Sequence, residues 1–340
     1  DLPGSIGPAI VSRIKILGDM NIVERRRPQD GQISLEIEGR QVDIRVSSTA
    51  VVGGEKVVMR LLDKSRSLLR LEDLGMQPDM ADRYGRLIRS PYGMVICAGP
   101  TGSGKTTTLY ATLAAINNDD INLVTIEDPV EYVFPTINQI QINEPAGVTF
   151  ADGLRAILRQ DPDVILVGEM RDVETSHIAV QAALTGHFVL STLHATDASA
   201  AVHRFLDMGI EGFLIASSLL GVVAQRLVRR ICRHCMVPYE PTVEERSFFE
   251  NAAQSDKREF FHGAGCNFCS HTGYEDRVGV FELLQIDEEM RELIVTSATH
   301  QNVRDVAIRN GMRPMREEAL RLVQEDVTTI AEILRGVYLV

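Results

Sequence analysis

Residues 93–118 read GMVICAGPTGSGKTTTLYATLAAINN, and the fold turns on how this stretch is parsed. Gly93 to Ala98 form an apolar run of strand length. Three glycines follow within Gly99–Gly104, and Lys105 then opens KTTTLYATLAAINN, which reads as a helix. Gly99, Gly104, Lys105 and Thr106 satisfy the pattern G-x-x-x-x-G-K-[ST], with Thr101, Gly102, Ser103 and Thr107 completing the loop. Glycines let the backbone curl until successive N–H groups face one anion, and the helix adds its positive end. Lys105 would reach the β- and γ-phosphates, and the Thr106 hydroxyl would complete a Mg²⁺ shell. A chance match in a chain of this size has odds of about one per cent. The strand before and the helix after weigh against the alternative, a plain Gly/Ser turn. The expected ligand is ATP with Mg²⁺. Lys105 is also the only lysine between Lys64 and Lys257.

Outward from this loop, apolar strands and helices alternate. INLVTIED, DVILVGE and HFVLSTLH read as strands, with helices FADGLRAILRQ and VETSHIAVQAAL between them. Apolar strands without alternation, separated by helices, predict a parallel sheet covered on both faces. Upstream, IGPAIVSRIKILGDM has helical spacing with Gly18 as a stop. Ile33, Leu35 and Ile37, then Val42, Ile44 and Val46 after a turn near Gly39, predict a hairpin with one buried face, and EKVVMRLL adds a third strand. This first module is a small α+β domain. The segment from Leu68 to Gly93 reads as helical and bridging, and the tail from Phe281 as helical. The expected division is 1–88, 89–230, 231–280 and 281–340.

Acidic residues cluster where such a sheet binds ligands, at strand C-termini. TIEDPVEY ends one strand with Glu127, Asp128 and Glu131, and Pro129 fixes where the carboxylates emerge. DVILVGEMRD supplies Glu169 at the end of what is expected to be the strand beside the loop. Gly168 stands where the usual aspartate would be, so either Glu169 takes the metal side or it polarises water while Thr106 coordinates. Solvated charge at a strand exit is the alternative for both clusters. His187 and His194 flank HFVLSTLH, either as structural histidines or as sensors of the γ-phosphate.

Four of five cysteines form two pairs, Cys232/Cys235 and Cys266/Cys269, 30 residues apart. Two C-x-x-C knuckles make a tetrahedral thiolate set suited to Zn²⁺, and four protein ligands leave no open position, so the site would be structural. A redox pair or four unlinked buried thiols are the alternatives. Cys97, in the strand before the loop, reads as core.

The chain has 340 residues with 44% hydrophobic content, and 35 basic against 47 acidic side chains give a net charge of −12. That balance argues against bulk nucleic-acid binding. No apolar run approaches bilayer length and no signal peptide is visible, so the expected compartment is the cytoplasm. The first residue is Asp1, from which we expect a fragment lacking its N-terminal part.

GPTGSGKT, TIEDPVEY, LRQDPDVILVGEMRD, TGHFVLSTLH and the paired cysteines, in that order, resemble the type II secretion and type IV pilus assembly ATPases over essentially the whole chain. The resemblance implies a RecA-like P-loop ATPase domain after a PAS-like second N-terminal domain, working as a hexamer. It implies that Glu131 is the general base, with Glu127 and Asp128 beside it. It makes Glu169 the Walker B glutamate, whose Gly-Glu form is normal in the family. Arg45 and Arg60 match arginines that the family presents at the open side of the nucleotide, with Arg155, Arg159 and Arg171 as further candidates. From alternation alone, Arg45 is a solvent-facing strand residue. The implied partners are an inner-membrane platform protein and associated assembly proteins, with the ATPase peripheral to that membrane. The cysteine module favours assembly and secretion over retraction. A nucleic-acid motor or DNA-transfer ATPase is the alternative from another class, and a nucleotide-gated scaffold that binds without turnover is a third.

Overall fold

The computed structural model describes residues 3–37, 40–63, 70–253, 255 and 257–338. The chain divides into two compact units, Asp1–Ser67 and Leu68–Val340. In the first, helix α1 (Gly7–Leu17) accompanies a three-stranded sheet of β1 (Gln29–Ile37), β2 (Arg40–Val51) and β3 (Gly54–Asp63). Both strand pairs are antiparallel, with Ile33 opposite Ile44 and Arg45 opposite Arg60. The small core is Met20, Ile33 and Val46, packed by Ile14, Ile44 and Val57. The turn expected near Gly39 lies outside the described residues.

The second unit opens with α2 (Pro78–Leu87), β4 (Gly93–Ala98), α3 (Lys105–Ile116), β5 (Leu123–Glu127) and β6 (Asn138–Gln141). It continues with α4 (Phe150–Ile157), β7 (Val164–Val167), α5 (Val173–Leu184), β8 (Phe188–Leu193), α6 (Ala198–Asp207), α7 (Gly212–Ser218) and β9 (Leu219–Ile231). After β9 come β10 (Met236–Tyr239), α8 (Val243–Ala253), β11 (Phe260–Gly263) and β12 (Tyr274–Gln285). Helices α9 (Glu288–Val295), α10 (His300–Arg309), α11 (Met315–Gln324) and α12 (Ile330–Ile333) close the unit. The helix expected to bridge, α2, buries Met80 and Tyr84 in this unit's core.

The main sheet has seven strands in the order β12-β9-β4-β8-β7-β5-β6. All its pairs are parallel except β12 with β9. Strand β4 shows why both faces are covered. Val95 and Cys97 join Leu109 and Leu113 of α3 on one face, while Met94, Ile96 and Ala98 join residues of α5 and α6 on the other. This sheet corrects two expectations. Strand β7, which leads to Glu169, is separated from the loop strand β4 by β8, because the crossovers place the later strand in the centre. Residues 281–285 belong to β12 and not to a helical tail, because Val280, Phe281, Leu283 and Leu284 alternate into the two cores. The helices follow only from Glu288 onward. Among the described residues, no helix is long and apolar enough to cross a membrane.

Candidate functional site

The loop after β4 is shaped by what cannot fit there. A Cβ on Gly99 would meet Ser103 Oγ at 2.5 Å and the Gln225 carbonyl oxygen at 2.6 Å. Gly104 precedes α3 with φ of 89°, in the left-handed region that glycine adopts without penalty. No side chain caps that helix start, so its first amides are left to face an anion. Lys105 Nζ donates to the carbonyls of Gly99 at 2.9 Å and Pro100 at 3.0 Å, folding the side chain back over the loop. Burial pushes the Lys105 pKa below its ordinary value, against opposing pulls from Cys97 and Glu169. Gln225 on β9 donates through Nε2 to the Ser103 carbonyl at 2.7 Å and accepts from Cys97 Sγ at 3.0 Å. The Ser103 hydroxyl is buried without a partner. The loop is thus a rigid cradle with donors to spare, which fits a phosphate chain.

Glu169 emerges one residue beyond Gly168, at the C-terminal edge of β7, and its side chain is 15% exposed. Arg171 Nη2 lies 2.5 Å from one carboxylate oxygen and His194 Nε2 lies 3.7 Å from the other. Thr192 on β8 donates to the Gly168 carbonyl at 2.9 Å, tying the two strand ends together. Burial, followed by the Lys105 charge, lowers the His194 pKa, while Glu169 pulls the other way. A neutral imidazole beside a carboxylate and an ammonium is thereby favoured near pH 7.

Glu127, at the end of β5, is 4% exposed and already fully engaged. It accepts from the Tyr110 hydroxyl, from Thr125 Oγ1 at 2.6 Å and from Gln139 Nε2 at 3.2 Å. The same Tyr110 hydroxyl accepts the backbone N–H of Glu131 at 3.2 Å. Burial, then the Glu127 carboxylate, raises the Tyr110 pKa, so the phenol stays a donor. Asp128 and Glu131 are exposed on the following turn, which contains a cis Asp128–Pro129 bond. Tyr110 projects from α3, the helix that the phosphate loop opens, and so keys the acidic turn to that helix. Neither Tyr110 nor Gln225 was singled out from sequence, because nothing in the local pattern distinguishes them from helix and strand core.

Other expected site residues are not brought here. His187 precedes the first residue of β8 and His194 follows its last, which puts them at opposite edges of the sheet, about 20 Å apart. His187 Nδ1 instead lies 3.0 Å from the Ala182 carbonyl. Arg155 is occupied by Asp152 at 3.3 Å and Glu174 at 2.5 Å, and Arg159 donates to the Arg155 carbonyl at 2.9 Å. Arg45 and Arg60 are cross-strand neighbours in the first unit. Like charges directly opposite in a sheet are destabilising, and among the described residues neither has an ion-pair partner.

The cysteines form a separate centre. The four Sγ atoms lie within 4.8 Å of one another, with contacts of 3.9 Å (Cys232–Cys266), 3.8 Å (Cys235–Cys269) and 3.7 Å (Cys266–Cys269). Zn–S bonds of about 2.3 Å in a tetrahedron require sulfur separations of about 3.8 Å. Backbone N–H groups of Gly265, Cys266 and Gly273 point at the sulfurs of Cys235 and Cys269 at 3.2–3.3 Å, as thiolates require. Disulfide spacing is excluded for these contacts, which are nearly twice an S–S bond length. The donor set fits a closed, four-sulfur metal site.

A family model described as type II/IV secretion system protein matches residues 4–335. Over 327 residues the chain is 52% identical to the type II secretion system protein HxcR of Pseudomonas aeruginosa, covering 96% of this chain and 66% of that protein. Over 334 residues it is 46% identical to the type IV pilus assembly ATPase PilB of Thermus thermophilus, covering 98% of this chain and 38% of that one. The chain therefore spans only part of the length of these relatives. A solved structure of the pilus retraction motor PilT with bound ADP matches with a TM-score of 0.66 at 28% identity, covering 91% of this chain and 77% of that chain. By its matched length and its relatives, the chain belongs to the type II/IV secretion system protein family.

Proposed function

We propose that this chain is the ATP-hydrolysing portion of a motor that assembles a pseudopilus or type IV pilus, the former driving protein export. The observation that carries this reading is convergence at one sheet edge. The glycine cradle, Lys105, Glu169 and His194 come from β4, β7 and β8 and meet where a parallel sheet binds ligands. Lys105 would exchange its bonds to Gly99 and Pro100 for phosphate oxygens, and Thr106 with Glu169 would hold Mg²⁺ and its water. Bound Mg²⁺ neutralises developing phosphate charge. Glu131 is the assigned base, exposed and carried on a turn that Tyr110 and Glu127 hold. Arg171 and His194 flank Glu169, and His194 reads the γ-phosphate. Arg45 and Arg60, a like-charged pair awaiting an anion, are assigned to the open side of the nucleotide. Arg155 and Arg159 would have to leave their present partners to take part.

The first unit is read as PAS-like, the second as RecA-like, and the cysteines as a structural Zn²⁺ site. The working assembly is a hexamer in the cytoplasm, held at the inner membrane by a platform protein and its associated proteins. The test is turnover. Lys105→Ala should abolish ATP hydrolysis, whereas Glu131→Gln should bind ATP with near-normal affinity and lower kcat by about 10²-fold or more. Unchanged kcat in Glu131→Gln would move the base to another carboxylate, and unchanged turnover in Lys105→Ala would end the reading.

A further inference from the structure

Behind the phosphate loop, on the sheet face opposite α3, lies a cavity of about 380 Å³ between β9, β12 and the N-terminal ends of α6, α10 and α11. Arg226, Arg304 and Arg316 line it together with two acids, Asp197 and Glu282. Both acids are already committed. Glu282, 1% exposed, accepts the first backbone amides of two helices, Ala198 N at 2.7 Å and Met315 N at 2.9 Å. Asp197 accepts from Ala200 N at 2.8 Å and lies 3.0 Å from His300 Nε2 and 3.6 Å from Arg304 Nη1.

Arg226 has no such partner. It is 7% exposed, its one hydrogen bond is a long 3.4 Å contact to the Thr196 carbonyl, and among the described residues no carboxylate lies within ion-pair distance. A guanidinium carries five donors, and withdrawing one from water without a close counter-charge is unfavourable. Burial lowers its pKa, although Asp197 and Glu282 oppose the change. Arg316, at the exposed mouth, is likewise without an acid and lies 5.2 Å from the Tyr338 ring centre.

We infer that this cavity is a binding site for a compact oxyanion of the phosphate class. Guanidinium forks match that geometry, and a charged ligand would supply the counter-charge that Arg226 lacks. The volume is at the small end for ligand sites, and the one ring among the lining residues, His300, is held against Asp197, which disfavours a nucleotide. The location is consequential, because Arg226 is the neighbour of Gln225 on β9. One residue clamps the phosphate loop and the next lines the cavity on the other face.

The experiment is calorimetric titration of the whole chain with inorganic phosphate and pyrophosphate at constant ionic strength. A Lys105→Ala background suppresses the competing phosphate loop, and turnover is not read, so the outcome is independent of the proposed motor function. Saturable binding is expected. Added Arg226→Gln should weaken it about tenfold to hundredfold, and Arg316→Gln by a smaller factor. Asp197→Asn, which retains a good helix cap, should tighten it, a change that a purely structural network would not produce. If Arg226→Gln does not fold, the exposed Arg316→Gln and the capped Asp197→Asn decide. Absence of saturable binding, or binding indifferent to these substitutions, overturns the proposal.

Discussion

At the phosphate loop, the clamp on Ser103 is Gln225, 122 positions further along the chain. The acid and the histidine whose charges act on Lys105, Glu169 and His194, arrive from two other strands. At the cysteine centre, the backbone amides that donate to Cys269 Sγ belong to Cys266 and Gly273, three and four positions away. The first site is assembled by a sheet and inherits its rigidity from buried strands. The second is assembled by two tight turns and depends on whatever binds the sulfurs. Strand β9 joins them, running from Gln225 through Arg229 to Ile231, one residue before Cys232.

The largest effect should come from breaking the local site. Elemental analysis should find one Zn per chain, and a chelator or Cys232→Ser should release it. Structural Zn contributes on the order of 10 kcal/mol in isolated peptides. Here Phe249 and Phe260 anchor the intervening segment in the main core. Hydrogen exchange should therefore rise by orders of magnitude at 232–235 and 264–273 and little elsewhere, with ATP binding retained. Zn-free protein with four accessible thiols and unchanged protection would show that the turns stand without metal.

An intermediate effect tests the strand between the sites. Glu332, 1% exposed, takes bonds from Arg229 Nη2 at 2.7 Å and Arg335 Nη2 at 2.6 Å. Burial opposes its ionisation, but these arginines hold its pKa down from 4.5 to about 2. Its folded-state pKa is depressed, so its contribution is fully present above pH 4.5 and is lost as pH falls towards 2. Glu332→Gln should cost about 2 kcal/mol at pH 7, less than a fully buried pair because both arginines are partly solvated. Denaturant melts from pH 7 to 3 should show the variant's deficit shrinking with acid. A deficit constant with pH would assign the effect to packing.

The smallest effect concerns the sheet-built site. Tyr110→Phe retains the edge-on contact with Phe134, 5.2 Å between ring centres, but removes the hydroxyl that joins Glu127 to the Glu131 amide. We expect kcat to fall about tenfold with KM for ATP nearly unchanged, as for a residue that positions the base and not the nucleotide. Proportional changes in kcat and KM, or none, would separate the acidic turn from α3.

The legible parts were those whose chemistry demands contiguous residues. A loop that wraps phosphate must be Gly99 to Thr106 in order, and a zinc knuckle must be two cysteines with two residues between. Such patterns survive in one dimension. Strand β6 and the long β9 carried weaker signals. Residues 138–141 are half-exposed at the sheet edge, and the polar Gln225 and Arg226 interrupt the apolar run of β9.

By itself, then, the sequence determined the phosphate cradle, the paired thiolates, the alternation of strands and helices, and the family to which they belong. Tertiary structure alone decided that β8 lies between the strands of Lys105 and Glu169, that His194 joins them while His187 does not, and that β12 completes the sheet. It also decided that Tyr110 and Gln225 hold the site together. The reason is that strand order and cross-strand partners depend on which buried surfaces fit against one another across large sequence separations. Each strand's own residues encode only that it will be buried, and leave its neighbours to the packing of the whole unit.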